Sequence, residues 1–220
     1  MPSAQPALPM QKGFDQNEPV SAARAKSFHE KGFRFCLRYV GRRKMAAHDL
    51  TAAELDRLLN AGLAVMPVQH VEDDNEPGWF PTAEKGTEYG RNAGRFAREL
   101  GFPDGVNVWL DLELVHKAVP AETVIAYCNN WFREVEAAGF KPGVYVGFHP
   151  GLSNDQLRHR LKFSHYWGSL NVDAKIPGRG WQMKQEDAHA LHQEDFTRTD
   201  DLGGTVHWLQ PKGWTPFDHD

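Results

Sequence analysis

The residues best equipped for chemistry stand in the stretch NVWLDLELVH, residues 107–116, where Asp111 and Glu113 close an otherwise apolar run. In an extended strand residues i and i+2 point to one face, so the two carboxyls project together while Leu110, Leu112 and Leu114 take the other face. Two ionised groups inside a protein cost several kcal/mol unless they are paired or used. A glycosidase uses such a pair: one carboxyl holds a proton for the leaving oxygen and the other stays charged. Strand rise sets their side chains about 6–7 Å apart, between the separations of retaining and inverting glycosidases, so spacing leaves the stereochemistry open. Other strand-like runs also end in polar groups: Asp15 in the first, Gln69 with Glu72 in the third, and Gln182, Gln185 and Glu186 in the seventh. Trp79, Trp109, Tyr145, Trp167 and Trp181 fall near the same ends. Each alone reads as core, but grouped beside carboxylates they suit stacking on sugar rings.

Other chemistries lack their motifs. The chain has no GxSxG elbow, no P-loop and no GxGxxG, which argues against a serine nucleophile and against phosphate or dinucleotide cradles. Eleven histidines include the pair in HALH, residues 189–192, but no HExxH or paired CxxC accompanies them, so neither a metal site nor a cofactor is expected. A net charge of −4, with no basic run beyond GRRK at residues 41–44, argues against a nucleic-acid partner. No apolar stretch is long enough to insert in a membrane. Cys36 falls in a strand-like run and Cys128 in a helical one, which predicts two free thiols.

The elements that must position these residues alternate from residue 12 onward. Strands are predicted at 12–17, 33–40, 64–71, 106–113, 142–148, 164–170 and 180–186, with a weaker eighth near 204–209. Helices are predicted at about 20–31, 51–61, 82–100, 121–138 and 153–161. TAAE at residues 51–54 reads as a capping box, with Thr51 as N-cap and Glu54 reaching back, and Gly32, Gly62, Gly101 and Gly139 follow the long helices as turn-forming C-terminal residues. Repeated strand–helix–strand units imply a mostly parallel sheet, and eight strands in a chain of this length predict a single (β/α)8 TIM-like barrel, with a short or missing late helix. The barrel is expected over residues 12–220, with residues 1–11 as a loose leader. That leader has neither a basic start nor a long apolar stretch, so no secretory signal is read there. A chain of this kind is made in the cytoplasm and reaches a cell wall by phage-type lysis or a dedicated secretion machine.

Five segments in order, GFDQN, RFCLRYVG, DLTAAELDRLLNAGLAVMPVQHV, YGRNAGRFARELGFPDGVNVWLDLE and AGFKPGVYVGF, resemble the glycoside-hydrolase-like domain-of-unknown-function family 1906. That family is a relative of the Chalaropsis-type lysozymes, glycoside hydrolase family 25. The resemblance covers roughly residues 12–150 well and the remainder in outline. It implies a TIM-like barrel with an acidic pocket and, for the lysozyme relatives, cleavage between muramic acid and glucosamine in peptidoglycan. By position, Asp15 matches the first-strand aspartate, DLE matches an Asp-x-Glu whose glutamate is the general acid, and Gln182 matches a late Trp-Gln pair. Asp195 is the match for a last-strand aspartate, with Asp200 and Asp201 in competition. Many members of the family of unknown function carry Asp where Glu113 stands, so this chain is more lysozyme-like there, while its tail departs from the lysozyme ending.

Three functions compete. The first is a glycosidase of amino-sugar polymers, peptidoglycan foremost, with Glu113, Asp111, Asp15 and Asp195 as the catalytic group and Gln69, Tyr145, Trp167 and Gln182 holding substrate. Glu113 would donate the proton, Asp111 would stay charged or orient the acetamido group, and Asp15 and Asp195 would position water or sugar hydroxyls. The second is a carbohydrate-binding domain without turnover. The third is a metal-assisted phosphodiesterase using Glu72, Asp111, Glu113 and a histidine such as His70. Oligomeric state is open.

Overall fold

The computed structural model describes residues 3–72, 78–170, 181–186, 195–199 and 205–211, the segment 195–199 by its backbone. Ten strands and five helices occur among them, in the order β1 (Ala4–Pro6), β2 (Lys12–Gln16), α1 (Ala22–Glu30), β3 (Phe35–Val40), α2 (Ala52–Asn60), β4 (Ala64–Gln69), α3 (Ala83–Leu100), β5 (Asn107–Leu112), α4 (Ala121–Ala137), β6 (Lys141–Val146), α5 (Asn154–Arg160), β7 (His165–Gly168), β8 (Met183–Glu186), β9 (Asp195–Thr199) and β10 (His207–Leu209). Strands β2 to β8 pair in parallel, each with its neighbour in the chain, and the sheet curls. Strand β9 lies between β8 and β2 and runs antiparallel to both.

The expectation of a (β/α)8 TIM-like barrel is therefore corrected. A (β/α)8 barrel needs eight parallel strands each followed by a helix. Here five helices accompany ten strands, β9 runs the opposite way, and among the described residues no helix follows β7, β8 or β9. The result is a curled mixed sheet with α/β regularity in its first two thirds. The weak eighth strand foreseen near 204–209 exists as β10, but it pairs antiparallel with β4 and β1 instead of completing the parallel set. Ala4–Pro6, within the stretch expected to be a loose leader, is that β1.

Local chemistry explains the helices. Ser21, Thr51, Thr82 and Ser153 each stand at an N-cap, where a side-chain oxygen accepts a backbone N–H of the first turn. The capping box at Thr51 is only half made. Thr51 accepts from the Glu54 N–H at 3.2 Å, but Glu54 turns away and pairs with Arg38. Helices α3 and α4 approach closely because Gly86, Gly90 and Gly94 line α3: a Cβ at the first two would strike the α4 backbone at Tyr127 and Trp131, and at the third the side chain of Ala138. Cys36 and Cys128 are free and buried, as their element types predicted, and burial pushes both thiols up.

Candidate active site

Strand alternation decides which side chains reach the inner face of the sheet. The Trp109 indole N–H meets Met66 Sδ at 3.4 Å, and Trp109 packs edge-on to Trp167, ring centres 6.1 Å apart, so these three mark the interior. Two residues on from Trp109, Asp111 shares that face; it pairs across with Tyr145 on β6, which pairs with Trp167 on β7. Asp111 ends 3% exposed, and its Oδ1 has no hydrogen-bond partner among the described residues. Its carboxyl is pushed well above the usual carboxylate range, first by burial and then by the charges of Glu113 and Asp15; a hydrogen bond from the Val71 N–H and the charge of Arg42 oppose this.

Asp15, on β2, reaches the same place. It is 7% exposed and accepts a 3.1 Å hydrogen bond from Gln185 Nε2, while Gln185 Oε1 accepts from the Tyr145 hydroxyl at 3.1 Å and the Leu170 N–H at 3.2 Å. Tyr145, Gln185 and Asp15 thus form one chain of hydrogen bonds across the site. Tyr39, at the end of β3, feels the charges of Asp111, Asp15, Tyr145 and Glu113; burial first, then those groups, hold its hydroxyl well above its ordinary value, so it stays a neutral donor.

Glu113 stands just past the end of β5 and is only partly buried. Its backbone is fixed on both sides: the Trp79 indole donates to the Glu113 carbonyl at 2.8 Å, and the Leu114 N–H donates to the Phe148 carbonyl at 2.7 Å. Leu114 and His149, on the two segments joined there, have φ of 50° and 51°, a left-handed conformation that costs a non-glycine residue of order 1 kcal/mol or more and is held only where surroundings dictate it. The side chain leans on Gly147, where a Cβ would collide with the Glu113 carboxylate.

The structure brings together Asp15, Asp111, Glu113 and Tyr145, all read from the sequence. It places two expected substrate-binding residues elsewhere. Gln69 lies on the helix side of β4, its amide donating to the Gly41 and Tyr89 carbonyls at 3.1 and 2.9 Å and accepting from the Trp131 indole at 2.7 Å. Gln182 is buried against the β7 backbone, accepting the Tyr166 N–H at 2.6 Å and donating its own N–H to the Tyr166 carbonyl at 2.8 Å. Trp167 is buried beneath Tyr145, ring centres 4.4 Å apart, so it supports the site without offering a face for stacking. Asp195 pairs through its backbone with Asp15. Asp200, Asp201 and the HALH segment lie outside the described residues. Tyr39 and Gln185 were not singled out as binding residues. Their signal was position, since each ends a strand on the same face as an acid.

The four groups of the phosphodiesterase reading do not assemble. Glu72 is bound to Lys85 at 2.7 Å and to the Tyr89 hydroxyl at 3.1 Å, and His70 pairs with Asp49 at 2.8 Å, so among the described residues the four donor sets do not close on one point.

No curated protein matches the chain. Among solved structures, an uncharacterized B. stearothermophilus protein is 21% identical with a TM-score of 0.62, over 87% of this chain and 96% of that one. The Tat-secreted protein Rv2525c of Mycobacterium tuberculosis, in complex with L-tartrate, is 14% identical with a TM-score of 0.63, over 90% of this chain and 98% of that one. A muramidase from Trichobolus zukalii is 13% identical with a TM-score of 0.62, over 86% of this chain and 93% of that one. At these identities the likeness is one of fold. It agrees with the family resemblance of the sequence motifs, and a family model described as Rv2525c-like, glycoside hydrolase-like domain matches residues 26–208, so the chain belongs to that family.

Proposed function

We propose that the protein is a glycosidase of amino-sugar polymers, with peptidoglycan as its substrate, and that Glu113 and Asp111 carry the reaction. The observation that carries this reading is the buried carboxyl of Asp111, one oxygen of which has no hydrogen-bond partner among the described residues, beside Glu113 and Asp15 at the ends of parallel strands. Burial and these like charges push the Asp111 carboxyl up and so favour keeping a proton among the acids, and one protonated and one ionised carboxyl are the two partners that glycoside cleavage needs. Glu113, the more exposed of the two, delivers the proton to the glycosidic oxygen as its bond to the sugar breaks. Asp111, then ionised beneath the ring, balances the oxocarbenium-like charge or orients the acetamido group. Tyr39 and Tyr145 supply neutral hydroxyls, and the Gln185 amide fixes Asp15 for water or a sugar hydroxyl. Asp195 completes the carboxylate set in this reading. The names of the neighbours, a muramidase, a Tat-secreted protein and a bacterial lysozyme from Streptomyces coelicolor, support a cell-wall polymer met outside the cytoplasm.

The test is mass spectrometry of the products released from purified peptidoglycan. Wild-type protein should generate new reducing ends at muramic acid. Glu113→Gln, which keeps the shape and removes the proton, should cost about 10²–10⁴ in rate while melting close to wild type. Retention of the polymer with no product from the wild type would make this a binding domain and overturn the proposal.

A further inference from the structure

A second group of chemically capable side chains lies against Tyr39, next to the acidic pocket. His70 stacks on the Tyr39 ring, centres 4.5 Å apart, and meets His48 edge-on at 5.3 Å. Asp49 lies between the two histidines, with Oδ1 at 2.8 Å from His70 Nε2 and 3.7 Å from His48 Nε2. Among the described residues this is the one set of three His, Cys, Asp or Glu whose donor atoms all fall within 4.8 Å of one another.

We propose that His48, Asp49 and His70 bind one divalent transition-metal ion of the Zn²⁺ class. Imidazole nitrogens and a carboxylate oxygen are borderline donors that suit zinc and its neighbours better than calcium or magnesium. Metal–ligand bonds of about 2.0–2.2 Å put neighbouring donors about 3–3.5 Å apart in tetrahedral or octahedral geometry. The two separations to Asp49 lie on either side of that range and the two histidine donors fall within 4.8 Å of each other, so inward movement of His48 would admit the ion. The donors are held in place beforehand. Asp49 is 1% exposed, its second oxygen accepts the Ala46 N–H at 2.6 Å, and the His70 N–H donates to the Val40 carbonyl at 3.2 Å. His48 is half exposed and is the ligand that must swing in.

Three protein ligands leave at least one position open, and it faces a cavity of about 450 Å³ lined also by Arg42, Arg43, Lys44 and Glu72. Two of those cations are engaged elsewhere: Arg42 on the Val71 carbonyl and Arg43 on Glu88 at 3.1 Å. The open position is therefore left to water or to another small oxygen ligand. Neither Asp111 nor Glu113 is among its ligands, so metal binding can be tested apart from the glycosidase reading.

The experiment is titration of chelator-treated, full-length protein with Zn²⁺ against a chromophoric competitor, repeated with Co²⁺ for its visible ligand-field bands. With eleven histidines in the chain, background binding is expected, so the comparison is with His48→Ala and Asp49→Asn. His48 is exposed enough to remove without disturbing the fold, and Asn at 49 keeps most of the hydrogen bonds. Wild type should bind one equivalent more than either variant, with affinity roughly tenfold or more above the residual sites, and its Co²⁺ bands should vanish in both. Equal stoichiometry and affinity in wild type and in His48→Ala, or no Co²⁺ bands in the wild type, would overturn the proposal.

Discussion

Two buried carboxyls in this molecule meet opposite fates. Glu54, on α2, is 1% exposed and fully answered: Arg38 approaches its two oxygens at 2.7 and 3.2 Å, and the Val20 N–H donates to it at 2.8 Å. Asp111 is almost as buried, yet it faces two further acids and keeps an oxygen with no partner among the described residues. The first is an element of architecture. Arg38 also binds the carbonyls of Gln16, Asn17 and His48, so one ion pair ties β3 to α2 and to the loops around β2 and β3. The second is a liability for stability, since burial and two neighbouring acids both oppose its ionised form, and the proposed chemistry gives such an arrangement a use.

The contrast is broken most forcefully at Arg38. Arg38→Met leaves Glu54 buried without its partner and three carbonyls without a donor, and should cost about 3–5 kcal/mol, on the order of 10 °C in melting temperature for a chain of this size. Thermal unfolding checks it, and the fraction that remains folded should keep its turnover per molecule. A smaller effect of the opposite kind belongs to Gly147. Gly147→Ala has no positive φ to oppose it, but its Cβ would displace the Glu113 carboxylate. Turnover should fall by about 100-fold, because displacement of roughly 1 Å is enough, while melting changes by only a few degrees. Loss of activity matched by equal loss of folded protein would place Gly147 in the architecture instead.

Much of this was legible in the sequence because its signals are local. The alternation of apolar runs with capped amphipathic segments located β2 to β8 and the five helices among the described residues, and the i, i+2 rule put Asp111 and Glu113 on one face. What failed depends on partners far away in the chain. Glu54 sits in a correct capping-box spacing, yet a guanidinium 16 residues earlier claims it. Gln69 and Gln182 end strands as Asp111 does, but face or packing turns them to the helices and to the β7 backbone, while Gln185 reaches the pocket. The parity was available in principle: Met66, Val68 and Met183 share the inner face, which excludes Gln69 and admits Gln185. The antiparallel course of β9 had no such signal, since nothing in DFTRT specifies strand direction. The (β/α)8 expectation failed there, by extending the rule of the first two thirds into a part of the chain that abandons it.

The central claim, that Asp111 is kept buried beside Glu113 and Asp15 because it is used, is tested most directly by Asp111→Asn, with melting temperature and turnover measured together across pH. Burial and like charge raise the folded-state value of Asp111 above its unfolded value near 3.8, so the folded protein binds more protons and loses stability as pH rises through the interval between them. Asparagine removes that loss. The variant should melt higher than wild type at neutral pH, the difference should shrink as pH falls toward 4, and turnover should drop because an amide cannot balance the oxocarbenium-like charge. An Asp111→Asn protein that melts lower than wild type at neutral pH, or that turns over at the wild-type rate, would contradict the account.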